Sequence, residues 1–278
     1  MKIAFISDIH SNLHALDLVL DDISNRNIDK IICLGDILVK YLYPKEVLKL
    51  VQDNCQIVIK GNCDELVATN EIYKFARNQI GIDGIEYLNN LPVTYQVKIN
   101  KILLNLYHSN PKDLESVFNP LFIDNKPSKH KQIIKDYNEM FINNKSQVVI
   151  VGHTHQDFIA KVINNKLEII NNNIIKLNNN DKYIINVGSV GEHDHMINNN
   201  LKYRSLLDDY ITYMIFDSDN NTSQIIKIPY KEKLLEVYFD FKNKQNDDNI
   251  PNTPNYLRRI EDSLIDMGYD KKDLILKK

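Results

Sequence analysis

Lys2-Ile3-Ala4-Phe5-Ile6-Ser7-Asp8-Ile9-His10 decides how this chain reads. Ile3 to Ile6 form an unbroken apolar run, which at this length predicts a buried strand. Asp8 and His10 end it at once, so the strand delivers two metal-ligand side chains at its C-terminal end. The same arrangement recurs along the chain. Lys30–Leu34 runs into Gly35-Asp36, and Gln56–Ile59 into Gly61-Asn62-Cys63-Asp64. Lys101–Leu106 runs into Tyr107-His108-Ser109, and Gln147–Val151 into Gly152-His153-Thr154-His155. Together the five runs supply two Asp, one Asn and four His.

Between the early strands the apolar period changes from continuous to helical. Asn12–Asn25 carries Leu13, Leu16, Val19, Leu20 and Ile23 on one stripe, Pro44–Val51 is a second helix, and helical patterns continue to about Asn90. Strand alternating with helix implies βαβ units and a sheet covered by helices. Thr94–Ile99 and Lys101–Leu106 read as strands around a turn at Asn100, and residues 111–145 read as mostly helical. Beyond Val151, Phe158–Val162, Leu167–Ile170, Lys182–Val187, Ile211–Phe216 and Ser223–Ile228 read as successive antiparallel strands. The expected fold class is α/β, a layered sandwich of two sheets. Residues 1–230 are expected to form one domain, with 231–278 a C-terminal helical appendage packed on it. Asn164–Asp181 reads as a low-complexity insertion of a strand or two with a floppy tip and no role in the chemistry, and Gly191–Asp209 as a polar loop.

At 278 residues, 43% hydrophobic and 26% charged, the chain is large enough to bury a core. A net charge of −3 gives no general pull toward nucleic acid or anionic membrane. No apolar run approaches the ~20 residues of a membrane span, and the N-terminal run is too short for a signal peptide. Three cysteines (Cys33, Cys55 and Cys63) without paired spacing argue against a disulfide framework and for a cytoplasmic protein.

In open α/β sheets the loops leaving the strand C-termini converge on one edge. Imidazoles mixed with hard oxygen donors favour two divalent transition ions, Mn foremost, with Fe, Zn, Ni or Co also fitting, over Mg or Ca. Asp36, at a tight Gly-Asp turn, is the natural bridge between two ions ~3.5–4 Å apart. Asp8, His10 and His155 would complete one site, and Asn62, His108 and His153 the other. His153 and His155 would share a face on an extended segment, whereas an intervening turn would send them to different ions. Such a pair suits hydrolysis of phosphate esters by in-line attack of a metal-bridging hydroxide.

Asp-x-His, Gly-Asp, Gly-Asn, His and Gly-His-x-His in this order resemble the calcineurin-like metallophosphoesterases. Asn186-Val187-Gly188-Ser189-Val190-Gly191 resembles a turn of their bacterial and archaeal branch, with Val187 in place of the usual Pro. The resemblance covers about residues 1–230. The tail after Tyr230 is similar to that of small members known as phosphodiesterases or diadenosine tetraphosphatase-like proteins. It implies a four-layer α/β/β/α sandwich of two mixed sheets and the same seven ligands, Asp8, His10, Asp36, Asn62, His108, His153 and His155. Many members carry a His after the Gly-Asn that helps the leaving group depart. Here that position is Cys63, a poor acid, so bonds with good leaving groups are expected, dinucleoside polyphosphates included. A serine/threonine protein phosphatase and a non-catalytic scaffold on the same fold are the alternatives.

Asp36, Asn62, Cys63 and Asp64 are thus the expected catalytic group. Cys63 is read as a non-nucleophilic neighbour, and Asp64 as orienting a ligand or capping a helix. Arg204, His193 and Asn62 are the candidate substrate contacts, Arg204 because its planar fork suits phosphate oxygens. Cys33 reads as core, and His14 as a solvated residue on the polar side of its helix. A small phosphorylated substrate is the expected partner, with no membrane, no stable nucleic-acid complex, and room for a homo-oligomer.

Overall fold

The computed structural model describes the chain except residues 101, 111–113, 115–134, 138, 142–145, 165, 179, 193, 197–204, 248–249, 251–252 and 277–278. Two six-stranded mixed sheets face each other. The first has the order β3-β2-β1-β13-β14-β9, with β1 Lys2–Ile6, β2 Lys30–Cys33, β3 Ile57–Val58, β9 Ile174–Lys176, β13 Tyr210–Asp217 and β14 Thr222–Pro229. The second has the order β4-β5-β6-β10-β7-β8, with β4 Thr94–Ile99, β5 Ile102–Tyr107, β6 Val148–Val151, β7 Asp157–Ile163, β8 Lys166–Ile169 and β10 Lys182–Val187.

The period of two along each strand divides its side chains between two cores. Ile3, Phe5, Ile32 and Leu34 point inward and meet Leu104, Leu106, Val148, Ile150, Ile185 and Phe216 between the sheets. Ala4, Ile6 and Cys33 point the other way, against helices. Val149, Val151 and Ile184 face outward from the second sheet and are covered by Tyr137, Met140 and Phe141. Because both faces of these strands are buried, the sequence shows continuous apolar runs there. The result is an α/β/β/α sandwich.

The helices on the first sheet are α1 Leu13–Ser24, α2 Pro44–Asn54, α3 Asn62–Thr69, α4 Lys74–Asn90 and, at the C-terminus, α5 Lys231–Asn243, α6 Thr253–Asp266 and α7 Lys271–Leu276. Asn12 caps α1, its side-chain oxygen accepting from the Ala15 N–H. Its amide donates to Gly191 O and to the Tyr230 hydroxyl, tying α1 to the start of α5.

Two expectations need correction. The strands after Val151 are not one antiparallel series. β10 inserts beside β6 and runs parallel to it, while β13 and β14 join the first sheet. Apolar patterning shows that a strand is buried but not which edge it pairs with. Asn164–Asp181 holds the strands expected of it: β8 extends the second sheet, and β9 pairs with β14 in the first. Gly191–Asp209 contains a two-stranded ribbon, β11 Asp194–Met196 and β12 Ser205–Leu207. Residues 111–145 lie largely outside the described residues.

Candidate metal centre

β1, β2 and β3 are mutually parallel, as are β5, β6 and β10. Their C-terminal ends bring together all seven candidate ligands. Asp8, His10, His108 and Asp36 are buried to 2% exposure or less. The loops are held to one another by backbone hydrogen bonds. Asp8 N–H donates to Gly35 O at 3.0 Å, and His10 N–H to Asp36 O at 3.0 Å. Gly35 allows this approach: its φ is +96°, and a Cβ there would lie 2.4 Å from Gly61 N. Gly152 does the same for the last loop, where a Cβ would lie 2.0 Å from Ser7 Oγ.

Asp8, His10, Asp36, His153 and His155 all have φ between 53° and 69°. L-residues rarely adopt this left-handed region, and its clustering here is strain of the kind held at functional sites. It also decides the relation of His153 to His155, which lie on a turn and face different groups.

In one group, His10 Nε2 is 2.9 Å from His155 Nε2, and Asp8 Oδ1 lies 3.9 Å and 3.4 Å from those two atoms. In the other, Asn62 Oδ1 is 3.1 Å from His108 Nε2 and 3.0 Å from His153 Nδ1. Asp36 reaches both, with Oδ1 3.4 Å from His108 Nε2 and Oδ2 3.9 Å from His10 Nε2.

Backbone carbonyls and amides orient these side chains. His108 Nδ1–H donates to Leu34 O at 2.8 Å, and His10 Nδ1 faces Leu38 O at 3.4 Å, so each presents Nε2 to the centre. Cys63 N–H donates to Asp36 Oδ1, and His153 N–H to Asp8 Oδ2. Asp64 takes the capping role at the start of α3. Its oxygens accept from Ile37 N–H at 2.9 Å and Gly61 N–H at 3.0 Å, fixing the Asp36 loop to the start of α3.

The donor set fits a divalent cation. Asp8 Oδ1 and His153 Nε2 are buried without a hydrogen-bond partner, which is costly unless a charge compensates. Two imidazole nitrogens 2.9 Å apart need a cation or proton between them. Asp8-His10-His155, His10-Asp36-Cys63 and Asp36-His108-His153 each bring their donor atoms within 4.8 Å of one another. The electrostatics agree. Burial pushes His108 down, but the Asp36 and Asp8 carboxylates outweigh it and raise the imidazole to about 10. Burial pushes Asp8 up, but His108 and His155 hold it well below the usual carboxylate range. Burial lowers His153 to about 4 and drives His10 down as well. Deep carboxylates that force a proton onto a buried imidazole mark a site short of positive charge.

Residues 1–217 match the sequence model described as the calcineurin-like phosphoesterase superfamily domain. The chain belongs to the calcineurin-like phosphoesterase superfamily. This phosphoesterase is 32% identical over 244 residues to the uncharacterized protein MJ0912 of Methanocaldococcus jannaschii, covering 83% of this chain and 88% of that one. Its fold is similar to that of a metallophosphoesterase from Sphaerobacter thermophilus, with a TM-score of 0.69, 22% identity and coverage of 94% and 98%. Hypothetical protein PH1004 from Pyrococcus horikoshii gives a TM-score of 0.65, 17% identity and coverage of 93% and 97%. As a member of this superfamily the chain is a phosphoester hydrolase that works with divalent metal.

Of the other expected contacts, Arg204 and His193 lie outside the described residues. Cys63 stands at the centre, its sulfur grouped with His10 and Asp36, and burial followed by the Asp36 charge raises its thiol. That suits a neutral neighbour rather than a thiolate nucleophile. Cys33 is buried in the core as expected.

His14 needs correction. It is not simply solvated, because Nε2 lies 2.7 Å from Asp240 and Nδ1 3.2 Å from Glu236, which anchors α5 to α1. Sequence reasoning missed Glu192 and Lys40. Glu192 is 1% exposed, pairs with both Lys40 and Arg259, and lies 4.0 Å from His155 Nδ1. Its one sequence signal is an acid directly after the Asn186–Gly191 turn. Among the described residues, no helix is long and apolar enough to cross a membrane.

Proposed function

We propose that this protein hydrolyses phosphodiester or phosphoanhydride bonds at a two-metal centre, with dinucleoside polyphosphates among its substrates. The convergence of two ligand groups on Asp36 carries the reading. Asp8, His10, His155 and Asp36 would hold one ion; Asp36, Asn62, His108 and His153 would hold the other. When bound, such ions lower the pKa of water toward ~7 and neutralise charge on the phosphoryl oxygens. Mn suits the mixed imidazole and oxygen donors best, with Fe, Zn, Ni or Co as substitutes.

The chain's own residues set the geometry and the preference. Leu34 O and Leu38 O aim the imidazoles, while the Cys63 and His153 amides orient the carboxylates. No imidazole stands at Cys63 to protonate a leaving oxygen, and its raised thiol is a weak acid. The leaving group must therefore depart largely unaided, as in activated diesters and anhydrides. Three free cysteines, with Cys33 buried, favour a reducing cytoplasm. A small phosphorylated molecule is the proposed partner.

The test compares two aryl substrates with Mn present. Bis-p-nitrophenyl phosphate is expected to turn over faster than p-nitrophenyl phosphate, and Cys63→His to raise the rate on phenyl phosphate, a monoester whose leaving oxygen needs a proton, by about 10-fold or more. A clear monoester preference in the wild-type protein sinks the proposal.

A further inference from the structure

A cavity of about 430 Å³ opens beside the metal centre and is not used by the reading above. Its walls come from four places: the loop after β1, the loop after β2, the turn Glu71–Tyr73 with the start of α4, and the C-terminal segment of Ile250 and α6. Four aromatic rings line it, those of Tyr41, Tyr73, Phe75 and Tyr256, and Ser11 and Lys40 are its polar members.

An aromatic cluster beside a site is often only core packing. Four observations argue otherwise here. The volume is that of a small-molecule pocket, about 300–1,000 Å³, rather than of a packing defect. Ile72 at the lip is 73% exposed. Ser11 is fully buried, yet its hydroxyl has no hydrogen-bond partner. Val39 and Lys40 carry φ of 79° and 72°, and a β-branched residue there is a backbone outlier that only a strong tertiary demand maintains.

The wall of the cavity adjoins the loops that carry the ligands. Ser11 follows His10 directly, and Tyr41 N–H donates to His10 O at 3.0 Å. Lys40 pairs with Glu192, which approaches His155. Glu192 is also paired with Arg259 on α6, so one carboxylate is shared by two cations. That ion pair ties α6, which carries Tyr256, to the loop beside His155. Ile250 and Tyr256 lie beyond the 217 residues matched by the superfamily model, so this wall comes from the C-terminal helices rather than from the matched domain.

A cavity lined by aromatic rings favours a flat ring, which can stack on them at centroid distances of about 4.5–7 Å. A cation at the inner end selects the phosphate attached to it. We propose that this cavity binds the base of a nucleoside-type phosphate, with the phosphate passing Ser11 and Lys40 to the metal centre. The assignment rests on the two-metal phosphoesterase reading and gives the base of its substrate a place in the fold.

Calorimetric titration of the Mn-loaded full chain with adenosine 5′-monophosphate and with ribose 5-phosphate tests it. The two share a phosphate and a sugar and differ in the base. Stacking of one base is expected to give the nucleotide about tenfold or greater advantage. Tyr256→Leu should erase that advantage and leave ribose 5-phosphate binding unchanged. Ile72→Ser, at an exposed position where folding is not at risk, should reduce it.

An advantage below tenfold in the wild-type protein overturns the assignment, as does a Tyr256→Leu variant that weakens both ligands alike. Turnover of bis-p-nitrophenyl phosphate separates the two proposals. If it persists while the two phosphates bind equally, the cavity assignment alone fails; if it is absent, the phosphoesterase reading fails with it.

Discussion

Asp36 is the residue on which the centre turns. One of its oxygens accepts from Cys63 N–H and faces His108, and the other faces His10. Asp36→Asn keeps the shape but removes the charge that both groups share. Loss of an outer partner of a ligand already costs about 10–100-fold in metal affinity, so loss of the shared carboxylate should cost at least about 10²-fold. Elemental analysis of the purified variant should find little metal, and turnover should fall with it; a variant that keeps both removes Asp36 from the centre. The seven ligands were legible because few side chains bind such ions and each stands just after an apolar run. Their backbone conformation was not. The left-handed φ of Asp8 and His10 is imposed by hydrogen bonds to Gly35 and Asp36, about 27 residues away, which no local pattern encodes. Glu192 and Lys40 were missed for the same reason, since an acid and a base in separate loops declare nothing until the fold pairs them.

Elements were legible where both faces are buried. β1, β2, β6 and β10 emerge from apolar runs, and Asn12 marks the start of α1. Pairing order was not legible, because the same run suits any buried edge, and β9 shows this best by leaving the second sheet to close the first. Elements are also joined by polar contacts whose strength depends on pH. Asp22 on α1 accepts from Arg26 Nε at 2.6 Å and from the Tyr213 hydroxyl of β13 at 2.6 Å. Burial raises this carboxyl, but the bonds to Arg26 and Tyr213 outweigh it and the net shift is downward. A folded pKa below the unfolded 3.8 means the contribution is full above pH 3.8 and is lost as pH falls through the folded value. Asp22→Asn keeps an acceptor for Tyr213 but loses the charge. Its melting temperature should lie below that of the wild-type protein at pH 7, and the gap should close as pH drops below 3.8. A gap that is constant with pH would remove the charge from the joint between α1 and β13.

At the scale of the molecule the C-terminal helices are part of the main core rather than an addition to it. Leu234, Val237 and Phe241 of α5 are buried with Leu16 and Val19 of α1. Phe241 meets the Tyr41 ring edge-on at 5.8 Å and lies 6.0 Å from Tyr256, so it links the loop after β2, α5 and α6 at one point. His14 and Tyr43 add hydrogen bonds to Asp240 on the same helix. A helix buried this way cannot detach without exposing the apolar face of α1, and the chain should unfold as one cooperative unit. Calorimetry of the metal-free protein should show a single transition. Phe241→Ala, which leaves a cavity at that junction, should lower the whole transition, with a loss of about 3–5 kcal/mol. If α5–α7 were an independent appendage, the variant would split off a minor early transition and leave the main one in place. The same coupling joins stability to function, because α6 carries Tyr256 and Arg259 to the edge of the metal centre. Phe241→Ala should therefore weaken adenosine 5′-monophosphate binding more than ribose 5-phosphate binding at temperatures where the variant is still folded.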